Sequence, residues 1–305
     1  MKNNTRIIRP DFLLTVLFFS FVMSFVQMQV AFSQVKINSP VTLPMKVSDG
    51  GHLMIKATIN GVEGNFIFDT AAGLNLMTKK FADKVAGLNK LDGTYTAHRA
   101  TGEAITAELW KANSINIGGL NYTDQLVSII DLDFPFDGLI SLLPFRNTPI
   151  TINYKTKSLV IESAKSLKAL AKTGQSVPLQ LADDREKALD VFAEVKVNDK
   201  LTLQVSFDSG AGAKVYRFNS KLMKPLGIDT TKAEVKYNKS EFNPEKRSKY
   251  YTTTLSKVSI PGTDVMMKDT KAYFLEGLIY DGIMSMDWLG EVLTIDIPNR
   301  RLLIN

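Results

Sequence analysis

Two aspartates stand in matching contexts far apart in the sequence. Asp69 ends the run GNFIFD and precedes Thr70, and Asp208 ends the run LTLQVSFD and precedes Ser209. A single Asp-Ser-Gly segment is most simply a turn in which the aspartate caps backbone N–H groups. Two such carboxyls about 3 Å apart cannot both ionise and therefore share one proton. One then acts as a base toward a water and the other as an acid toward a carbonyl oxygen, which is the equipment for hydrolysing a peptide bond.

The two aspartates meet only if equivalent elements position them, and the sequence contains an internal repeat that does so. Each copy has a proline-containing apolar strand, a β-hairpin, a strand entering a glycine turn, an Asp-Gly-apolar-apolar segment and a closing strand pair. These landmarks begin at Leu43 and Val177, Leu53 and Phe192, Ile115 and Val258, Asp137 and Asp281, and Thr151 and Thr294. Short alternating strands predict an all-β fold of two similar lobes related by internal duplication, with a cleft between them. Equivalent residues of two such lobes meet at the pseudo-twofold axis.

The predicted division of the chain follows from this repeat. We expect a signal peptide at 1–33, an N-terminal lobe at 41–162, a linker at 163–176 and a C-terminal lobe at 177–305. The length of 305 residues suffices for two domains of ordinary size.

The amino-acid composition excludes several classes of catalytic and metal site. The chain has no cysteine and two histidines, His52 and His98. Disulfides, zinc–thiolate sites and cysteine nucleophiles are excluded, and neither histidine lies near a G-x-S-x-G nucleophile motif. We therefore predict no metal and no cofactor. The formal net charge of +6 is spread widely, so the sequence does not indicate nucleic-acid binding.

The N-terminus has the pattern of an export signal. A basic start precedes an uncharged apolar run, with the charges at Lys2, Arg6 and Arg9 and the run at Phe12–Val26. Ala31 and Ser33 place small residues where a signal peptidase cleaves. The alternative is an uncleaved anchor, because the uncharged run continues to Phe32 and approaches the about 20 residues that span a bilayer. Either way we expect the body outside the cytoplasm, periplasmic or secreted.

The segments FDTAAG and FDSGAG, each followed later by Asp-Gly-apolar-apolar, resemble the retropepsin-like aspartic proteases, the superfamily that includes pepsin. The resemblance occurs once per lobe and implies two acid-protease β-barrel lobes. It implies that Asp69 and Asp208 are the catalytic pair, activating one bridging water. The hydroxyls of Thr70 and Ser209 are expected to brace the two turns against each other. The turns are implied to contact the substrate backbone, which makes Ala71 and Gly210 substrate-binding candidates. With both lobes in one chain, a monomer suffices.

The sequence departs from the family pattern at three positions. Ala71 replaces the glycine of the first motif; it keeps the N–H, but its methyl group resists positive φ. Ser141 and Ser285 replace the glycine expected after each Asp-Gly-apolar-apolar element.

A flap hairpin that closes over the substrate is also expected, and 94–110 fits it, with its tip at Thr101-Gly102. Tyr95 and Trp110 are its candidate substrate contacts, although simple strand packing also accounts for both. The equivalent segment of the second lobe is 236–255. His98, near the first tip, is expected to be an exposed surface residue.

These features predict an exported aspartic endopeptidase that binds an extended peptide or protein segment as an added strand. The alternative from another class is a catalytically weak or inactive peptide-binding or cell-envelope protein that retains the fold, and Ala71 is its main support. A membrane-anchored form of either is the third possibility.

Overall fold

The structure, a computed structural model, describes residues 37–99, 103–184, 186–240, 243 and 245–305. These residues lie within one compact unit that extends to Asn305. The predicted signal peptide at 1–33 and the predicted flap tip at Thr101-Gly102 lie outside the described residues. No helix in the described part of the chain has the length and apolar character needed to cross a membrane.

The described residues of the first half of the chain form eleven strands and one short helix. They are β1 (Val41–Pro44), β2 (Lys46–Val47), β3 (Leu53–Ile59), β4 (Val62–Phe68), β5 (Asn75–Thr78), α1 (Lys79–Ala82), β6 (Asn89–His98), β7 (Ala104–Ile117), β8 (Leu120–Ile130), β9 (Gly138–Ile140), β10 (Ile150–Asn153) and β11 (Ser158–Ile161). A 3₁₀ turn at Leu143–Phe145 lies between β9 and β10.

The second half repeats this series after a connecting helix. Its elements are α2 (Ala164–Thr173), β12 (Gln175–Pro178), β13 (Gln180–Asp184), β14 (Ala188–Val197), β15 (Leu201–Phe207), β16 (Tyr216–Asn219), α3 (Met223–Leu226), β17 (Glu234–Lys239), β18 (Arg247–Ser259), β19 (Met266–Leu275), β20 (Gly282–Met284), β21 (Val292–Asp296) and β22 (Arg301–Ile304). Short 3₁₀ turns occupy Ser209–Ala211 and Ser220–Leu222.

Each half builds an eight-stranded sheet of the same order. The first sheet runs β2-β3-β4-β9-β5-β8-β7-β6 and the second β13-β14-β15-β20-β16-β19-β18-β17. An additional pairing of β3 with β7, and of β14 with β18, closes six strands of each sheet into a barrel. We call the residues of the first sheet lobe one and those of the second lobe two. The all-β, two-lobe fold is thus as predicted; the exact bounds of the lobes as domains, and their origin by duplication, stay predictions.

The β-hairpins that precede the two aspartates form at the positions that the sequence predicted. In β3 the alternate residues Leu53, Ile55, Ala57 and Ile59 are buried, which is the period of a strand with one face in the core. Asn60 and Gly61 then have φ of 45° and 88°, as a two-residue type I′ turn requires. The returning strand β4 ends at Phe68, and Asp69 follows it directly at this end of the barrel.

A third sheet joins the two halves. Its order is β1-β11-β10-β21-β22-β12, so each half supplies three strands, and β10 pairs with β21 at the centre. The predicted proline strands at Leu43 and Val177 are each divided between two sheets, because β1 and β12 join this shared sheet whereas β2 and β13 join the lobes. Pro44 and Pro178 end β1 and β12, which are edge strands where a missing N–H is tolerated.

Candidate active site

The two aspartates occupy equivalent positions at the ends of β4 and β15. In lobe one, β4 runs parallel to β9, and the Asp69 N–H donates to the Ile140 carbonyl at 2.9 Å. In lobe two, β15 runs parallel to β20, and the Asp208 N–H donates to the Met284 carbonyl at 2.8 Å. Each carboxyl is therefore fixed at its backbone by the strand that the Asp-Gly-apolar-apolar segment forms.

The structure brings the two carboxyls into contact. The Asp208 carboxyl lies within hydrogen-bonding reach of Asp69 and lowers the pKa of Asp69. The Asp69 carboxyl also lies against the turn of the other lobe, because a methyl group placed on Gly210 would stand 2.4 Å from its Cγ. Asp69 Oδ1 accepts from the N–H groups of Ala71 at 2.9 Å and Ala72 at 3.0 Å.

The hydroxyls of Thr70 and Ser209 cross between the lobes. The Thr70 N–H donates to Ser209 Oγ at 3.1 Å, and the Ser209 N–H donates to Thr70 Oγ1 at 3.0 Å. Each hydroxyl hydrogen then goes to a carbonyl of the opposite lobe, Thr70 Oγ1 to Phe207 and Ser209 Oγ to Phe68 at 2.7 Å. Both side chains are buried, so these four bonds lock the two turns together without help from water.

Burial raises the pKa of both carboxyls. The pKa of Asp208 is raised well above its usual range, first by burial and then by the charge of Asp69. The pKa of Asp69 is also raised by burial, but its two backbone N–H donors oppose the rise. Asp208 is 8% exposed, and its Oδ1 has no hydrogen-bond partner among the described residues. The N–H groups of Gly210 and Ala211 likewise oppose the rise at Asp208. Two adjacent carboxyls with raised pKa values hold one proton between them at intermediate pH.

The three positions that differ from the family's glycine have structural explanations. The φ of Ala71 is not positive, so its methyl group causes no backbone strain there. Ser141 donates its N–H to Asn75 Oδ1 at 3.0 Å, and its hydroxyl donates to the same oxygen at 3.2 Å. Ser285 Oγ donates to Asp287 at 2.6 Å and accepts from the Val215 N–H. Both serines anchor the neighbouring strand through a hydroxyl that glycine lacks.

The Asp-Gly aspartates bind backbone rather than the cleft. Asp137 Oδ2 accepts from the Asn65 N–H at 2.7 Å, and Asp281 Oδ2 accepts from the Gln204 N–H at 3.2 Å. Each carboxylate thus caps the strand that leads to an active-site aspartate, which is a positioning function.

Two hairpins project from the lobes where flaps were expected. β6 and β7 form the first, and β17 and β18 the second. Tyr95 lies on β6 with its hydroxyl near the turn after Asp69, since a methyl group placed on Gly73 would stand 3.4 Å from it. Trp110 packs against the core with Lys90 Nζ 5.8 Å from its ring centre, and His98 is exposed. The hairpins also contact each other, because Ser240 Oγ donates to Glu103 Oε2 at 2.6 Å.

Three residues near the dyad were not predicted as site residues. His52 Nδ1 donates to the Gly210 carbonyl at 2.8 Å, which ties the start of β3 to the turn of lobe two. Asp190, on β14, lies against the turn of lobe one, with its Oδ1 3.2 Å from a methyl group placed on Gly73. The sequence signal for Asp190 is a single acid within the apolar run 188–193.

The third residue is Arg217 on β16, which pairs in register with Ile283. Its side chain is mostly buried and makes no hydrogen bond or ion pair among the residues that the structure describes. Burial lowers the pKa of Arg217, whereas the charge of Asp208 opposes this. Its positive charge in turn lowers the pKa of Asp208, which partly offsets the effect of burial on the dyad.

The comparisons with known proteins agree with this geometry. Residues 55–142 match the family model of an aspartyl protease, a segment that includes Asp69 and Tyr95 but not Asp208. No curated protein matches the chain. The family match and the all-β two-lobe fold together support placing the chain in an aspartic protease family.

Proposed function

We propose that this protein is an exported aspartic endopeptidase that hydrolyses peptide bonds with a water activated by Asp69 and Asp208. The observation that carries the proposal is the contact between the two carboxyls, one of them buried and both with a raised pKa. Carboxyls with a purely structural function are rarely in contact with each other, because two adjacent carboxyls destabilise the fold unless they share a proton.

In this mechanism the two aspartates divide the proton transfers. Ionised Asp69 accepts a proton from the water as its oxygen bonds to the scissile carbonyl carbon. Asp208 donates its proton to the carbonyl oxygen, which gives a neutral tetrahedral diol. Asp69 then returns a proton to the departing nitrogen while Asp208 regains one from a diol hydroxyl, and the C–N bond breaks. The dyad ends in its starting protonation state.

The proposed substrate is an extended peptide or protein segment bound in the cleft beneath the hairpins. The turns at Ala71 and Gly210 border the dyad, and Tyr95 approaches it from β6. A peptide in this position can pair its backbone with the protein as an added strand, so main-chain hydrogen bonds supply the affinity. Since both aspartates come from one chain, we propose that a monomer is active.

Export is proposed on the sequence of the N-terminus alone. The basic start and the apolar run 12–26 predict cleavage after Ser33 and a periplasmic or secreted product. Mass spectrometry of the protein purified from its host tests this: a mature N-terminus at or near Gln34 supports it, whereas an intact N-terminus in the membrane fraction supports the anchored form.

The test of the activity is cleavage of a diverse peptide mixture by the purified protein across about pH 3–8. Wild type should cut, whereas Asp69→Asn and Asp208→Asn should each be silent while remaining folded. Asp264→Asn makes the same chemical change in an exposed turn and should retain full activity. A folded wild type that binds peptides but cuts none at any pH contradicts the proposal and favours the peptide-binding alternative.

A further inference from the structure

A third carboxyl group, that of Asp190, faces the same cleft. In β14 its neighbours Ala188, Leu189 and Val191 are buried, whereas Asp190 is only partly so. The Leu189 N–H donates to the Gly73 carbonyl at 2.9 Å, which fixes this part of lobe two against the turn that follows Asp69. Asp190 is therefore held beside the dyad by backbone and not by a flexible loop.

Among the described residues Asp190 makes no hydrogen bond and no ion pair. The titratable groups that act on it and on the two tyrosines beside it are Asp69, Tyr95, Asp184 and Asp190 itself, all of them acids or phenols. His52 acts on Asp69 and is hydrogen-bonded to the Gly210 carbonyl. Burial and the charge of Asp69 raise the pKa of Asp190 to about 6. An ionised carboxylate in such a place is stabilised only when a cation arrives.

The Asp190 carboxylate and the Tyr95 hydroxyl converge on the same side of the turn at Gly73. Gly73 has no side chain, and a methyl group placed there would stand 3.2 Å from Asp190 Oδ1 and 3.4 Å from Tyr95 Oη. The ring of Tyr280 forms another wall and packs on Phe192 with 5.4 Å between ring centres. A carboxylate flanked by two phenol rings is a favourable environment for an ammonium or guanidinium group.

We infer that Asp190, Tyr95 and Tyr280 form a cation subsite, so that the preferred substrates carry a lysine or arginine side chain close to the scissile bond. This inference rests on the proposed function and names its substrate class. Asp190 does not take part in the proton transfers; it determines which peptide is held over the dyad. Because Asp190 loses its charge on protonation, the preference for a basic residue is expected above about pH 6 and is lost at lower pH.

The experiment measures binding and hydrolysis separately. N-acetylated peptides carry lysine or norleucine, which has a similar chain without the ammonium group, at each position around a cleavage site. Their reduced-amide forms cannot be cut, and their affinities are measured by isothermal titration calorimetry at pH 7.5 and pH 5. At one position, lysine should bind wild type about tenfold more tightly than norleucine at pH 7.5, since one charge-assisted hydrogen bond has about that effect.

Variants assign the preference to Asp190. Asp190→Asn should reduce the lysine advantage at pH 7.5 to less than about twofold while leaving the affinity for norleucine peptides unchanged. Glu194→Gln removes a carboxylate from an exposed position of the same strand and should keep the full advantage. Asp190→Lys should reverse the order and favour a glutamate-containing peptide.

The outcomes separate this inference from the proposed function. If wild type hydrolyses peptides but lysine gives no advantage in binding, or Asp190→Asn retains the advantage, the inference is wrong and the protease assignment stands. If lysine binds preferentially through Asp190 but nothing is cut, the protease assignment is wrong and the subsite stands. A matching peptide series with a free N-terminus is measured alongside; an advantage confined to that series would overturn the side-chain assignment, because the bound cation would then be an α-amine.

Discussion

At the scale of single residues, the dyad is asymmetric although the lobes are alike. Two backbone N–H groups lower the pKa of each aspartate, but Asp208 is the more deeply buried and its Oδ1 has no partner among the described residues. The charge of Asp69 adds to the effect of burial on Asp208, and Arg217 partly offsets both, whereas His52 lowers the pKa of Asp69. This asymmetry gives each aspartate a distinct proton affinity, which acid and base chemistry at a single pH requires.

Asp190 should lower the stability of the fold at neutral pH. Its folded pKa of about 6 exceeds the ordinary aspartate value of 3.8, so the folded state binds its proton more tightly than the unfolded state. Stability is then lost as the pH rises from 4 through about 6, by up to about 3 kcal/mol. We expect Asp190→Asn to raise the free energy of unfolding at pH 8 and to leave it almost unchanged at pH 4.

Urea denaturation at the two pH values measures this difference. Glu194→Gln serves as the control, because its carboxyl is exposed on the same strand and should change stability little at either pH. Equal effects of Asp190→Asn at pH 4 and pH 8 would show that the carboxyl is not strained in the folded state. If removing the charge of Asp190 stabilises the fold, the residue serves binding and not folding.

At the scale of elements, the crossed hydroxyls of Thr70 and Ser209 connect the ends of β4 and β15. Thr70→Ala removes one hydroxyl and leaves the buried Ser209 N–H and Phe207 carbonyl without partners. We expect a loss of about 1–3 kcal/mol in the free energy of unfolding, together with reduced activity, because the carboxyls lose their alignment. Thr70→Ser keeps the hydroxyl and should retain most of both.

The same pair offers a test of coupling. Since Thr70 and Ser209 share partners, the double change to alanine should destabilise by less than the sum of the single changes. Chemical denaturation of the two single variants and the double variant measures this difference. Strict additivity would mean that the two turns are held independently of each other.

How well the sequence predicts these elements depends on how far apart in the chain the residues that determine them lie. The hairpin at Asn60-Gly61 was predictable because its turn is encoded by two adjacent residues, and Asp69 and Asp208 because a repeat marks equivalent positions. The division of the proline strands was missed, since which sheet a strand joins depends on partners such as β11 and β22. Asp190 and His52 were missed because their neighbours Gly73 and Gly210 belong to the other lobe. Arg217 was missed because it comes near Asp208 only through strand pairing within lobe two.

At the scale of the whole molecule, the shared sheet makes the two halves interdependent. Thr151 on β10 faces Thr294 on β21, and their hydroxyl oxygens are 2.8 Å apart in a fully buried position. The flanking residues Ile150, Ile152 and Leu293 are also completely buried. The two halves are therefore joined by a buried strand pairing as well as by the Thr70–Ser209 bonds.

Separating the two halves of the chain should expose the edges of β10 and β21 that pair in the shared sheet. A chain cut within α2, at Ala164–Thr173, leaves β10 and β21 each with an unpaired edge lined by apolar side chains. Such an edge recruits other strands, so we expect each half alone to self-associate or aggregate. Co-expressed halves should instead form a 1:1 complex, because the β10–β21 pairing and the Thr70–Ser209 bonds can then form. Size-exclusion chromatography with light scattering distinguishes these states, and a half that remains a stable, folded monomer would show that each lobe is an independent domain.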